Sequence, residues 1–284
     1  METQTRSDAI TSGDGTIIRY RTFGGGGPAV VLLHGGMQTS RNFRTLAALL
    51  ADRFTVHIPD RRGRGLSGPP GVGYGLRSEI EDLGLLMRET HARNLFGLSS
   101  GAVIALEAAL VLSEIERLAL YEPPLKFGGV DPVAWAPRYR HELARGRLAS
   151  AFVTTVKGTG DSRAVRYAPR VALVPLVRLG IRADRRARRE PGYTPLGDLI
   201  PTMQQDATLV DEAAGPLDRY AQVAAETLLL GGERSAAYLK AALNGLEAVL
   251  PRVRRVMLPG VGHLAADDTG RPQLVADQLR TFFC

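Results

Sequence analysis

Residues 97 to 101 read Gly97-Leu98-Ser99-Ser100-Gly101, preceded by the apolar stretch Asn94-Leu95-Phe96 and followed by Ala102-Val103-Ile104-Ala105-Leu106. The short apolar run before the pentapeptide predicts a buried strand, and the run after it predicts a helix. Glycines at both ends of a Gly-x-Ser-x-Gly spacing permit a tight strand-to-helix turn, which holds Ser99 in a strained conformation with its oxygen projecting above a sheet. A serine hydroxyl is nearly un-ionised at neutral pH. As a nucleophile it needs a base within hydrogen-bond reach and donors for the developing oxyanion. The helix offers such donors in its first amides, that of Ser100 foremost. In a chain with 32 glycines the pentapeptide alone says little; its apolar flanks give it weight.

Working outward, strand and helix patterns alternate. Thr16 to Thr22 follows the turn signal Ser12-Gly13-Asp14-Gly15 and predicts a hairpin strand, and Ala29 to Leu33 is continuously apolar, as in a strand buried on both faces. A helix over Ser40 to Ala51, a strand over Phe54 to Ile58, and a helix opened at Ser78 by a Ser-x-x-Glu capping box with Glu81 come next. The helix after Ser99 is expected to run to about Leu112, followed by a strand at Arg117 to Tyr121. This rhythm predicts an α/β fold with a parallel sheet and covering helices. Between Pro123 and about Gln222 the rhythm breaks, with helices expected at Pro132 to Arg145, Leu148 to Val156 and Val171 to Leu179. So long a connection predicts an inserted helical lid over residues 123–222, set in a core of residues 1–122 and 223–284. The rhythm resumes with a strand at Thr227 to Leu230, a helix at Ser235 to Leu250, a strand at Val253 to Leu258 and a closing helix from Pro272 to Phe283. Gly24 to Gly27 precedes a strand and no Gly-Lys-Ser/Thr follows it, so a hairpin turn is expected there in place of a phosphate loop.

Composition narrows the function classes. A chain of 284 residues with 44% hydrophobic content can bury a large core. The start is polar, without the apolar region of a signal peptide, and no run approaches the ~20 apolar residues of a membrane span, so a cytoplasmic location is expected. Cys284 is the only cysteine and cannot form an internal disulfide. The formal charge of +7 is almost all arginine, since only Lys126, Lys157 and Lys240 are lysine. Its densest run, Arg182, Arg185, Arg186, Arg188 and Arg189, is expected to be a solvated face, and no nucleic-acid-binding motif accompanies it. No His-x-His or His-Glu-x-x-His pattern occurs, so neither a metal nor a cofactor is implied.

Four elements in order, Leu32-Leu33-His34-Gly35-Gly36, Pro59-Asp60-Arg61-Arg62-Gly63-Arg64-Gly65-Leu66-Ser67, Gly97-Leu98-Ser99-Ser100-Gly101 and Leu258-Pro259-Gly260-Val261-Gly262-His263, resemble the α/β-hydrolase fold family. The resemblance covers roughly residues 10 to 122 and 223 to 284. It implies a mostly parallel eight-stranded sheet with helices on both faces, Ser99 as nucleophile and His263 as base. It further implies an oxyanion hole from the amides of Ser100 and Gly36, with Met37 as the alternative donor. His34 is expected to support the oxyanion loop. His34 and Met37, with Trp135 and Tyr139 of the lid, are candidate substrate contacts, although the helical spacing of Trp135, Tyr139, Leu143, Phe152 and Val153 equally suits core packing.

The acid departs from the common family pattern, which places an aspartate after the penultimate strand. Here that segment reads Leu230-Gly231-Gly232-Glu233-Arg234-Ser235. Glu233 is one candidate. Asp267 and Asp268 follow His263 closely enough that a turn or helix cap is their expected role. Glu122 ends the strand beside the nucleophile strand, and its extra methylene gives the longer reach that such a position requires. Pro123-Pro124 after it stiffens the exit from the sheet and biases Glu122 toward an extended backbone. Members similar to the zearalenone lactonases use a glutamate after this strand, and the order Ser99, Glu122, His263 keeps nucleophile, acid and base in family sequence. Glu122 is therefore preferred over Glu233.

The resulting expectation is a serine hydrolase of a carboxylic ester or lactone acting through an acyl-enzyme. Its partner would be a small ester, lactone or polyketide-like molecule. The alternative is a cyclase or lyase of this fold, or a binder with little turnover. Serine at the centre of the pentapeptide disfavours epoxide hydrolase and dehalogenase chemistry. Oligomeric state is left open.

Overall fold

An antiparallel hairpin leads into a parallel array. The computed structural model describes residues 5–160, 163–186 and 192–284. Strands β1 (Thr5–Thr11) and β2 (Ile17–Phe23) pair antiparallel, and their turn is closed by the Gly15 amide donating to the Ser12 carbonyl at 2.9 Å. Then follow β3 (Ala29–Leu33), α1 (Arg44–Leu50), β4 (Thr55–Pro59), α2 (Leu76–Thr90), β5 (Asn94–Leu98), α3 (Ser100–Ala108) and β6 (Arg117–Tyr121). The described chain next forms α4 (Ala136–Ala144), α5 (Leu148–Thr159), α6 (Arg163–Tyr167), α7 (Arg170–Arg186), α8 (Leu196–Leu199) and α9 (Met203–Glu212). Strand β7 (Glu226–Gly232), α10 (Ala237–Val249), β8 (Val253–Leu258) and α11 (Pro272–Phe282) complete it.

The fold is that of an α/β hydrolase, with an eight-stranded sheet in the order β1-β2-β4-β3-β5-β6-β7-β8. β2 meets β4 antiparallel, and the pairings from β4 to β8 are parallel. Alternation along each strand divides the core in two. Val30 and Leu32 of β3 pack with Phe43, Leu46, Leu50 and Leu279 on the α1 and α11 face. Val31 and Leu33 pack with Leu83, Leu86 and Val103 on the α2 and α3 face, which continues into Trp135, Tyr139 and Met203. Burial on both faces explains why these strands read as unbroken apolar runs.

Several local expectations are corrected. Strand β1 has no apolar signature in Thr5–Thr11, because this edge strand buries no side chain from Arg6 to Thr11. Gly24 to Gly27 is not a hairpin turn: β2 pairs with β1 and β4, and the glycines carry the chain across the sheet to β3. At Gly27 an added Cβ would lie 1.8 Å from the Arg53 carbonyl oxygen, so the crossing needs glycine. Helix α2 starts at Leu76, not Ser78, and its cap comes from α9, where Glu212 Oε2 accepts the Leu76 amide at 2.6 Å. A cap from a side chain 136 positions away leaves no trace in local spacing. Helix α3 ends at Ala108, short of Leu112, and α7 extends beyond Leu179 to Arg186.

Along α7, Arg182, Arg185 and Arg186 are exposed, and Arg185 pairs with Asp198 at 3.1 Å. Arg188 and Arg189 lie outside the described residues. Among the described residues no helix is long and apolar enough to cross a membrane, and no metal-binding group of His, Cys, Asp and Glu occurs.

Candidate active site

The turn between β5 and α3 carries Ser99 at φ 56° and ψ −123°, a combination costly for any residue with a side chain. Three backbone bonds hold it there: the Ser99 amide donates to Tyr121 O at 2.9 Å, and the Ser99 carbonyl accepts from Ala102 and Val103 at 2.8 and 3.1 Å. The flanking glycines answer to crowding. A Cβ at Gly97 would meet Gly101 O at 2.5 Å, and one at Gly101 would meet Leu33 O at 2.5 Å. Ser100 is the first residue of α3, where an amide has no intrahelical acceptor.

Glu122 follows β6 directly and is fully buried. Its Oε2 lies 2.8 Å from His263 Nδ1, and its Oε1 accepts the Gly232 amide at 2.6 Å. A carboxylate on Nδ1 fixes that nitrogen as the protonated one and leaves Nε2 as the unprotonated nitrogen of the neutral ring. The extended backbone expected from Pro123 is corrected, since Glu122 has φ 49°, in the left-handed region. Its amide is bonded to Leu230 O at 3.1 Å and its carboxylate to two other segments, and together these outweigh the local bias. Gly231 leaves room for it: a Cβ there would lie 3.2 Å from Glu122 Oε1.

The other acids sit elsewhere. Glu233 is exposed and accepts the Gly260 amide at 3.0 Å. Asp268 accepts the Thr45 amide at the start of α1 at 2.8 Å. Asp267 is buried and accepts from Gln38 Nε2 at 2.7 Å and Asn42 Nδ2 at 2.9 Å, which ties the loop after His263 to the loop after β3. On that second loop Gln38 Oε1 accepts the Gly35 amide at 2.8 Å. Gln38 carried no signal in the sequence, because an amide in a loop acquires such a role only from what packs beside it.

His34 is fully buried. The Arg61 amide can only donate, so its 3.2 Å contact makes His34 Nε2 the acceptor and leaves Nδ1 to donate to Gly35 O at 3.0 Å. Burial first, then the charges of Arg64 and Arg61, holds this imidazole well below its ordinary pKa, so it stays neutral.

A cavity of about 50 Å³ is lined by Ser99, His263, Gly36, Ser100, Trp135 and Tyr238, and by Met203, Asp206, Ala207 and Val210 of α9. It brings Ser99, His263 and both expected oxyanion donors to one wall system. Trp135 lines it, whereas Tyr139, His34 and Met37 do not. Tyr139 is fully buried, donates to Ile200 O at 2.6 Å and stands edge-on to Trp135. Met37 has φ 54° and packs against the core.

A charged cluster missed in the sequence borders this cavity. Asp206 Oδ1 accepts from Ser100 Oγ at 2.7 Å and from Arg61 Nη1 at 3.0 Å, and its Oδ2 accepts from Arg64 Nη2 at 2.7 Å. Arg61 also reaches Glu79 Oε1 at 3.0 Å. Burial works to raise the Asp206 pKa, but Arg64 and Arg61 prevail and hold it below the ordinary aspartate value. Arg62, between them in sequence, points away to Asp82 at 2.6 Å.

A strained serine between a parallel strand and a helix, with a buried glutamate and a histidine brought together from later loops of the same sheet, defines the α/β-hydrolase class. The Alpha/beta hydrolase family profile matches residues 30–278, and the chain belongs to that family. It is 28% identical over 250 residues to a 2-(acetamidomethylene)succinate hydrolase of Mesorhizobium japonicum, covering 84% of this chain and 82% of that protein. It is 27% identical over 258 residues to a pimeloyl-[acyl-carrier protein] methyl ester esterase of Xanthomonas oryzae pv. oryzae, covering 91% and 96%. Among solved structures, an alpha/beta hydrolase from Sphaerobacter thermophilus superposes with a TM-score of 0.77 at 30% identity, covering 98% of this chain and all of that one.

Proposed function

We propose that the protein is a serine hydrolase of carboxylic esters or lactones. Ser99 Oγ attacks the carbonyl carbon as His263 Nε2 takes its proton, and the amides of Ser100 and Gly36 receive the oxyanion. The imidazolium then protonates the departing alkoxide, leaving an acyl-enzyme. Water, deprotonated by the same histidine, attacks that acyl group and releases the acid and Ser99. Glu122 holds the imidazole and stabilises its cation, and the helical segment of residues 123–222 acts as the lid that shapes the pocket.

The observation that carries this reading is the 2.8 Å contact between Glu122 Oε2 and His263 Nδ1. A histidine oriented by a carboxylate supports hydrolysis over a binder with little turnover. Two relatives, named as a methyl ester esterase and as a hydrolase of a substituted succinate, support hydrolysis of an acyl bond. The test is covalent labelling by a fluorophosphonate together with turnover of p-nitrophenyl butyrate. Both should occur in the native protein and disappear in Ser99→Ala; a Ser99→Ala protein that still turns over the ester would end the assignment.

A further inference from the structure

We propose that the substrate carries a second, anionic group, a carboxylate above all, which binds the buried guanidinium of Arg64 in the place that Asp206 holds. The inference rests on Ser99 as the nucleophile and names the class of acyl group that reaches it.

The cavity is the first premise. At about 50 Å³ it is far smaller than the ~300–1,000 Å³ typical of ligand sites, so part of its wall moves when an ester enters. Gly36, Ser99 and Ser100 belong to the sheet and its turns, which the core fixes. Helix α9 supplies Met203, Asp206, Ala207 and Val210, and at Gly36 a Cβ would lie 2.6 Å from Met203 Sδ and 3.1 Å from Asp206 Oδ2. The helix therefore sits directly on the oxyanion loop, and of the walls, which also include Pro132, Val133, Trp135, Thr159 and Tyr238, it is the one whose withdrawal opens the cavity beside Ser100 in this proposal.

The second premise is what this movement uncovers. Withdrawing α9 takes the Asp206 carboxylate off Ser100, Arg61 and Arg64 together. Arg61 keeps Glu79. Asp206 is the only carboxylate paired with Arg64 among the described residues, and Arg64 is 1% exposed. Its Nε and Nη1 are buried and have no hydrogen-bond partner even with Asp206 in place. A guanidinium left buried without a counter-ion is strongly unfavourable. A neutral ester cannot relieve that, whereas a carboxylate can replace the Asp206 oxygen on Nη2 and satisfy a second N–H as a bidentate partner. The anion thus discriminates between substrates by removing an unpaired charge.

The test compares kcat/KM for monomethyl succinate, glutarate and adipate with their neutral dimethyl esters. At the best chain length the monoester should be favoured by about tenfold or more, and Arg64→Gln should reduce that ratio by a similar factor. Calorimetry of the corresponding free dicarboxylates with Ser99→Ala should show binding that Ser99→Ala/Arg64→Gln loses. A neutral diester preferred at every length, or no dicarboxylate binding to Ser99→Ala, overturns the proposal. If neither ester series is turned over and no fluorophosphonate reacts, the nucleophile assignment fails, and the calorimetry still decides the anion site. If Arg64→Gln does not fold, the native ratio decides.

Discussion

Glu122 Oε2 lies 2.8 Å from His263 Nδ1 across 141 residues of chain, and the same carboxylate holds the Gly232 amide with its other oxygen at 2.6 Å. One side chain thus joins the end of β6 to the end of β7 and the loop after β8. Glu122→Gln keeps an oxygen for the Gly232 amide but can turn an N–H toward the imidazole, which favours the wrong tautomer. Its kcat should fall by about 10²–10⁴. The exposed Glu233→Gln should stay within about twofold. Steady-state kinetics of the two variants side by side decide the acid, and a loss confined to Glu233→Gln would make Glu233 the acid instead.

Gly101→Ala should destabilise the protein by roughly 1–3 kcal/mol. Its Cβ would meet the backbone oxygens of Leu33 and His34 at 2.5 and 2.6 Å, and neither can move without shifting β3 and the loop that follows it. Urea unfolding of the variant measures the cost; an unchanged midpoint would mean that the turn is less tightly packed against β3 than these distances indicate.

Acid sensitivity should trace in part to His57. It is buried beside Tyr20, its Nδ1 meets Thr22 Oγ1 at 3.1 Å, and burial, followed by the Arg6 charge, pushes its pKa down to about 4 from 6.5. Between those values the unfolded chain binds the proton and the folded chain resists it. Stability is therefore full above about pH 6.5 and declines as the pH falls toward 4, by at most about 3 kcal/mol. His34, also held neutral by burial, adds in the same direction. Replacing His57 by Asn should flatten the decline in melting temperature between pH 7 and pH 4.5, and an identical slope in the variant would exclude His57 as a cause.

Tyr139→Phe tests whether this ring belongs to the packing or to the pocket. Loss of the 2.6 Å bond to Ile200 O should cost about 1 kcal/mol and leave KM unchanged. Trp135→Ala, which removes a cavity wall, should alter KM. A KM change in Tyr139→Phe equal to that in Trp135→Ala would return Tyr139 to the pocket.

Much of the frame is legible in the sequence because local physics decides it. Mostly apolar runs such as Ala29–Leu33 and Asn94–Leu98 are short enough to be strands buried on both faces, and the glycines around Ser99 are required by contacts as close as 2.5 Å. The order of these elements pointed to the sheet, to the tight turn at Ser99 and to the loop that carries His263. Glu122 was legible as a candidate through its position at a strand end and its side-chain length.

What only the tertiary structure decided are the relations that span the chain. The left-handed backbone of Glu122, the cap that Glu212 gives α2, and the burial of Tyr139 away from the cavity each arise from a partner remote in sequence. The pairing of Asp206 with Ser100, Arg61 and Arg64 is the plainest case. An aspartate in a polar helical stretch and two arginines in a glycine-rich loop carry no sign of their pairing in the sequence, and only their removal from water together makes them a cluster, because a buried charge demands a partner that local spacing cannot specify.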